Sequence, residues 1–204
     1  MKLIFESENL QDYLQCTEII DFSESGISAL SYALRAEAAS ETELVRKTYE
    51  YVRDRVSHSA DVSGTVVTCT ASEVLRQREG ICYAKAQLLA AMLRKNGIPC
   101  GFCYQLLRLD DDESPLILHG MNAVFIREKN AWIRLDARGN KAGVDAQFDL
   151  ETERLAFTVR KEHGEIDYPY VFVNPDEDAV SALEISENVT ELWENLPRGL
   201  FREL

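Results

Sequence analysis

Residues 78–97, "REGICYAKAQLLAAMLRKNG", decide how this chain folds. The segment contains four alanines and apolar residues at helical spacing, and the lysine and glycine near its end are typical of a helix terminus. Its apolar face consists of Leu88, Leu89, Met92 and Leu93. Because alanines let neighbouring elements approach closely, the segment predicts a helix at the centre of the fold. That helix begins at Cys82, and a cysteine in its first turn needs an explanation.

Other helices are predicted before this segment. Ser40 with Glu43, and Thr70 with Glu73, have the spacing of capping boxes at the start of a helix. Gly80 is predicted to end the third of them. The predicted helices cover residues 26–38, 40–58 and 70–80.

After residue 97 the hydrophobic period changes to that of strands. Residues 129 and 130 are predicted to form a turn between two of them, and a last helix is predicted near the end of the chain. Helices followed by an antiparallel sheet predict the α+β fold class. The predicted strands cover residues 98–109, 116–128 and 131–139, and the last helix covers 187–196.

Length and charge limit the possible functions. A chain of 204 residues is expected to form a single domain over residues 1–204. The 22 Lys and Arg residues against 35 Asp and Glu residues give a net charge of −13. Such a surface repels phosphate backbones and anionic lipid, so neither nucleic acid nor a membrane is an expected partner.

The expected location is the cytoplasm. No apolar run reaches the roughly 18 residues of a membrane span, and the first residues lack the apolar stretch of a signal peptide. We therefore expect the five cysteines to be reduced thiols, most of them buried as small hydrophobic side chains.

Cys82 is the expected exception. The N-terminus of a helix carries a partial positive charge and unpaired N–H groups, which favour the nucleophilic thiolate. A thiolate nucleophile needs a base and a group that orients the base. His119 lies on a predicted strand, and Asp136 lies on the next predicted strand, where a buried carboxylate requires a partner. The order of the three residues predicts a Cys-His-Asp triad in which His119 moves the proton and Asp136 fixes the imidazole tautomer.

The same segments resemble the core of the transglutaminase-like superfamily, which is related to papain-like cysteine proteases. The matching features are Gly-x-Cys at a helix start, "LRKNGIP" at its end, a histidine at a strand start and a tryptophan shortly before an aspartate. The resemblance covers about residues 40–140 and is to small, bacterial-type, single-domain members, with a C-terminal extension at about 148–204. It implies a central cysteine-bearing helix packed on an antiparallel sheet, catalytic roles for Cys82, His119 and Asp136, and a peptide or protein amide as substrate.

The predicted register does not bring His119 to Asp136. A two-residue turn at 129 and 130 pairs His119 with Asn140 and leaves Asp136 on the order of 13 Å from His119 along the sheet. Either the turn is longer or a bulge near Gly120 shifts the register. Otherwise Asn140 orients the histidine, as in papain-like Cys-His-Asn sites.

The donors of the oxyanion hole remain open. In true transglutaminases a tryptophan upstream of the cysteine contributes to it, whereas the tryptophans here are Trp132 and Trp193, both downstream. The backbone N–H of Cys82 is one expected donor. Thr68 or Thr70 is a candidate for the second.

Three other motifs have simpler interpretations. The Cys-x-x-Cys of Cys100 and Cys103 falls on opposite faces of a predicted strand and has no second ligand pair, so no metal is expected there. His58 is expected to interact with the C-terminus of the second helix. The acidic run at 110–113 lacks the spacing of a calcium loop and is expected to be a solvated turn that could border the cleft.

Two classes of function follow. The first is a thiol-dependent hydrolase or acyltransferase that acts on amide bonds through an acyl-enzyme on Cys82, with water or an amine as acceptor. The second is a catalytically silent binding module that keeps the fold. The presence of Cys82 and His119 favours the enzyme, and neither a metal nor an organic cofactor is implied.

Overall fold

The structure is a computed structural model that describes residues 1–108 and 114–204. It contains helices and strands in one α+β arrangement, as the sequence predicts. The helices are α1 (Ser25–Ala36), α2 (Glu41–Arg55), α3 (Ala71–Gln77), α4 (Cys82–Lys95), α5 (Glu177–Ile185) and α6 (Val189–Asn195). The strands are β1 (Ile4–Phe5), β2 (Ser57–His58), β3 (Glu79–Gly80), β4 (Cys100–Arg108), β5 (Leu116–Ile126), β6 (Ala131–Leu135), β7 (Ile166–Asp167) and β8 (Tyr170–Val171).

The main sheet is antiparallel and has the order β6-β5-β4-β7. Two short parallel pairs, β1 with β8 and β2 with β3, lie outside it. The second pair matters for the site, because it holds His58 beside Gly80, two residues before α4.

The prediction of a central helix is confirmed. All residues of α4 from Tyr83 to Arg94 are buried, and the helix packs against α1, α2, α3 and the sheet. At its far end, Gly97 takes the left-handed conformation, with φ of +73°. The main hydrophobic cluster extends from this helix to Leu183 and Leu192 in the C-terminal helices.

The predicted helix starts are also confirmed. The Ser40 hydroxyl accepts the backbone N–H of Glu43, and Thr70 with Glu73 forms a reciprocal capping box. The predicted end of α3 is wrong. The helix ends at Gln77 with Arg78 in the left-handed conformation, because the next two residues pair with β2.

The two cysteines of the Cys-x-x-Cys motif lie on opposite faces of β4, as predicted. Cys100 packs in the main cluster, whereas Cys103 packs with Met121 and Tyr13 on the other side of the sheet. Both are free thiols, and burial raises the pKa of both, that of Cys100 to about 12. Neither is therefore a nucleophile at neutral pH.

No helix in the described parts of the chain is long and apolar enough to cross a membrane.

Candidate active site

Cys82 is the first residue of α4, and the structure places it at the wall of a cleft of about 570 Å³. Ile81 occupies the N-cap position and offers no side chain to the free N–H groups of the first turn, which also contains no acidic residue. These N–H groups therefore keep their partial positive charge for an anion at this end of the helix. Cys82 is half-buried, so its sulfur is accessible from the cleft.

His119 lies on β5 and is 5% exposed. A close approach of α4 to β5 brings it to Cys82. A Cβ atom at Gly120 would lie 2.8 Å from a ring carbon of Tyr83, so only glycine lets the Tyr83 ring pack against the strand there. The Tyr83 hydroxyl donates to the carbonyl of Leu118, which further fixes the first turn of α4 beside His119.

Asp136 is fully buried and accepts three hydrogen bonds. Its Oδ2 lies 2.8 Å from His119 Nε2 and accepts the backbone N–H of Ala156 at 3.1 Å. Its Oδ1 accepts the backbone N–H of Arg138 at 3.0 Å. Although burial opposes ionisation, the His119 charge and these hydrogen bonds lower the pKa of Asp136.

The charge of Asp136 acts on His119. Burial alone would lower the pKa of His119, but the Asp136 carboxylate and Cys82 outweigh burial and raise it to about 10. Because Asp136 uses Nε2, Nδ1 is the ring nitrogen available to the Cys82 sulfur. The arrangement thus stabilises an imidazolium beside the thiol, as in a thiolate–imidazolium pair.

The structure explains how His119 and Asp136 meet. The turn between β5 and β6 is longer than predicted, because Arg127–Lys129 form a 3₁₀ turn and Asn130 takes the left-handed conformation. The register consequently pairs Asn122 with Leu135, and His119 faces the segment that follows β6. The alternative, a bulge near Gly120, does not cause the shift, since the β5–β6 ladder is uninterrupted from Asn122 to Ile126 and the longer turn accounts for its register. The prediction that Asp136 lies on a strand is also wrong, because β6 ends at Leu135.

Asn140 does not orient His119. Its side chain is committed to the backbone of Ala146, donating to the carbonyl at 3.1 Å and accepting the N–H at 2.8 Å. Asn140 closes the loop that follows Asp136.

The two threonines suggested for the oxyanion hole do not line the cleft. The Thr68 hydroxyl donates to the carbonyl of Glu79 at 2.9 Å, and the Thr70 hydroxyl accepts the backbone N–H of Glu73 and lies 3.3 Å from the Ser72 hydroxyl. The suggestion that either is the second donor is therefore wrong for this conformation.

His58 lines the same cleft as Cys82 and His119, which sequence reasoning missed. The expected interaction with the C-terminus of α2 is wrong, because the chain leaves that helix at Arg55 and His58 pairs with Gly80 in β3. No local signal could have revealed this, since the pairing joins residues 22 positions apart. Burial first, and then the positive charge of Arg138, lower the pKa of His58 to about 3.

Four charged side chains that line the cleft, Arg138, Lys141, Arg160 and Glu165, form ion pairs. Arg138 and Lys141 both bind Asp61, whose pKa they lower although burial opposes this. Arg160 binds Glu165 at 2.8 Å. The other polar or charged lining residues in the described part of the cleft are His58, Cys82, Arg108, His119 and Thr158, and the acidic run predicted as a turn at 110–113 lies outside the described residues.

Among the described residues, no cluster of three or more His, Cys, Asp or Glu side chains has the arrangement of a metal site.

The apolar lining of the cleft comes from both halves of the chain and includes Leu107, Ile117, Phe157, Trp193 and Leu196.

Comparisons with known proteins agree with this architecture. The family model of the transglutaminase-like superfamily matches residues 28–137, more than half of the chain. No curated protein matches the chain. The structure of a candidate cysteine protease from Cytophaga hutchinsonii superposes with a TM-score of 0.52 at 17% identity, over 65% of this chain and 43% of that one.

The periplasmic domain of TgpA from Pseudomonas aeruginosa gives a TM-score of 0.47 at 18% identity, over 64% of this chain and 48% of that one. This chain thus matches less than half the length of either solved protein. The likeness to the Cytophaga protein shows a shared fold. The matched family model covers residues 28–137, a segment that contains Cys82, His119 and Asp136. The chain therefore belongs to the transglutaminase-like superfamily.

Proposed function

We propose that this protein is a thiol-dependent hydrolase or acyltransferase that acts on amide bonds of a peptide or protein. The observation that carries the proposal is the contact of His119 with the buried Asp136 at 2.8 Å, in a cleft that also exposes Cys82 at a helix N-terminus. Membership of the superfamily supports the same class of chemistry.

In the proposed reaction, the Cys82 thiolate attacks the carbonyl carbon of the amide. An S–C bond forms, and the electron pair of the C=O bond moves to oxygen, next to the N–H groups that begin α4. As the intermediate collapses, the C–N bond breaks and the His119 imidazolium gives its proton to the leaving amine. Asp136 keeps the imidazole in the tautomer that presents Nδ1 to the sulfur.

The acyl-enzyme then reacts with water or with an amine. His119 takes a proton from the acceptor, the acceptor attacks the thioester carbonyl, and Cys82 leaves as thiolate. Water as acceptor makes the protein a peptidase or amidase, and an amine makes it a transglutaminase.

We propose that the whole chain acts as one unit in the cytoplasm. Support for one unit comes from the Trp193 and Leu196 side chains of the C-terminal part, which line the cleft together with Cys82. Support for a reducing compartment comes from the five cysteines, none of which is in a disulfide.

Site-resolved alkylation tests the proposal. Limiting iodoacetamide at about pH 6, well below an ordinary thiol pKa, reacts with a thiolate but hardly with a thiol. We expect Cys82 to be labelled first in the wild type and to lose this advantage in His119→Ala. Cys16, an exposed thiol away from the cleft, is the internal reference, and Cys82→Ala is the matched control.

An activated Cys82 justifies a search of peptide amides with and without added amine, in which the product distinguishes hydrolysis from acyl transfer. If Cys82 reacts no faster than Cys16 in the folded protein, the enzyme proposal is wrong. The catalytically silent binding module is then the better description.

A further inference from the structure

Acyl transfer at Cys82 requires two hydrogen-bond donors for the oxyanion. The backbone N–H groups at the start of α4 supply one of these donors. A second donor must reach the cleft from another element. Neither Thr68 nor Thr70 lines the cleft, and the chain has no tryptophan upstream of Cys82.

His58 has the required position. β2 runs parallel to β3, and the backbone N–H of Ser59 donates to the carbonyl of Gly80 at 3.3 Å. Only Ile81 separates Gly80 from Cys82, so β2 holds His58 beside the start of α4. The imidazole is 8% exposed and lines the cleft together with Cys82.

A backbone N–H two residues further along the chain fixes the tautomer of His58. Nδ1 accepts the N–H of Ala60 at 3.3 Å, which places the ring proton on Nε2. None of the described residues accepts a hydrogen bond from Nε2, and this atom is not sealed in the protein interior. A side chain more than nine-tenths buried thus presents an unused donor to the cleft. A donor that has no protein acceptor and lines the cleft can bind an acceptor atom of a ligand there.

Burial and the surrounding charges keep His58 neutral. Burial lowers its pKa most, Arg138, Lys85 and His119 also oppose a positive charge on its ring, and Asp61 favours one. Asp61 in turn is occupied by Arg138 and Lys141. A neutral imidazole donates from Nε2 without competing with His119 for the Cys82 proton.

We propose that His58 donates its Nε2–H to the oxyanion that forms when Cys82 attacks the substrate carbonyl, an assignment that rests on the proposed function of Cys82. The covalent step is the one already described: an S–C bond forms, the C=O electron pair moves to oxygen, and no proton leaves His58. His58 is in this view a catalytic residue supplied by the segment that precedes the cysteine helix.

Two probes separate this role from a general effect on the thiol. Acylation of Cys82 by p-nitrophenyl acetate passes through an oxyanion, whereas alkylation by iodoacetamide displaces iodide from a saturated carbon and forms none. In His58→Leu we expect acylation to slow by about 10²–10³-fold, the cost of losing one such donor, with alkylation at pH 6 unchanged. His58→Gln, whose amide can donate, should recover part of the acylation rate. His163→Leu, a histidine that does not line the cleft, is the matched control.

Equal acylation rates in the wild type and a folded His58→Leu variant would overturn the role of His58 while leaving Cys82 as nucleophile. Equal losses of acylation and alkylation would also overturn it, because His58 would then act on the thiol or the fold. A wild-type protein that the ester does not acylate would instead overturn the proposed function itself, and this assignment with it.

If His58→Leu does not fold, the wild type alone gives the test. In ¹⁵N-labelled protein, N-acetylglycinal forms a hemithioacetal on Cys82 whose oxygen occupies the oxyanion position. We expect the Nε2–H resonance of His58 to move downfield on addition of the aldehyde. An unchanged resonance in protein whose Cys82 carries the adduct would overturn the assignment.

Discussion

Replacement of Asp136 by asparagine isolates the electrostatic part of the proposed triad. Asparagine has nearly the same shape, and its carbonyl can keep the contacts with His119 and with the N–H of Ala156. Its amide then meets the N–H of Arg138, so one hydrogen bond is lost together with the negative charge. The fold loses about 1–3 kcal/mol from the unsatisfied buried donor, which many domains tolerate.

The loss of charge determines the kinetics. The Asp136 Oδ2 to His119 Nε2 distance is 2.8 Å, which separates the charge centres by roughly 4 Å, and at an effective dielectric constant of about 20 their attraction is ~4 kcal/mol. This corresponds to about 3 units in the pKa of His119. Without the Asp136 charge, burial of His119 is no longer offset by a neighbouring carboxylate, so its pKa falls and the ring stabilises a neighbouring thiolate far less.

The assay is the rate of iodoacetamide labelling at Cys82 between about pH 5.5 and 9.5, on either side of the ordinary thiol range. At pH 6 we expect labelling in Asp136→Asn to be slower than in the wild type by about 10²–10³-fold, the size of the lost attraction. Near pH 9 the two rates should converge, because hydroxide then removes the proton that His119 no longer takes. Asp149→Asn, at a half-buried loop carboxylate that does not line the cleft, is the control.

Equal labelling rates at pH 6 in the wild type and a folded Asp136→Asn variant would refute this reasoning. Asp136 would then be a structural anchor for the loop that follows β6. Circular dichroism and a thermal melt, measured on the same samples, separate a lost charge from a lost fold.

Three further predictions follow from other contacts. Lys85 is fully buried, and burial first and then Arg138 lower its pKa to about 7. Above pH 7 the unfolded chain therefore binds more protons than the folded protein, so stability rises with pH. In urea titrations the free energy of unfolding of the wild type should rise by about 1 kcal/mol per pH unit from pH 7.5 to 9.5 relative to that of Lys85→Met. Asn140→Ala should make the loop around Ala146 more susceptible to proteolysis but leave Cys82 labelling at pH 6 intact, whereas an orienting role for Asn140 requires the labelling to fall. Gly101→Ala should destabilise the protein by about 1–3 kcal/mol, because the new Cβ would lie 2.8 Å from the carbonyl oxygen of Phe172, and an unchanged melting temperature would contradict this.

Local signals in the sequence predicted the helices that carry the site. The Ser40 N-cap and the capping box at Thr70 fix where α2 and α3 begin, and the alanine-rich pattern fixes α4, because these signals join residues within about one helical turn. The missed helix α5 had a comparable signal: Asp176 follows a proline and accepts the N–H groups of Asp178 and Ala179. Its start was readable from the same rules.

Distances within the site depend on features that no short pattern contains. His119 and Asp136 meet because Asn130 takes the left-handed conformation and lengthens one turn to four residues. The two extra residues in that turn shift the register by roughly 7 Å, about half of the 13 Å gap, and the chain closes the rest because β6 ends at Leu135, just before Asp136. The residue types of the triad were therefore predictable, whereas their contact and the commitment of Asn140 to Ala146 were not.

One short segment acts on both histidines of the cleft. Asp136 raises the pKa of His119 against burial, and Arg138, two residues later, adds to the burial that lowers the pKa of His58. The backbone N–H of Arg138 also donates to Asp136, and its guanidinium binds Asp61, an acid whose charge favours a proton on His58. Groups whose surroundings push their pKa values apart can divide acid–base work from hydrogen-bond donation at a single pH. The loop after β6 thus supports both proposed roles at once, a charged His119 that moves the proton and a neutral His58 that donates to the oxyanion.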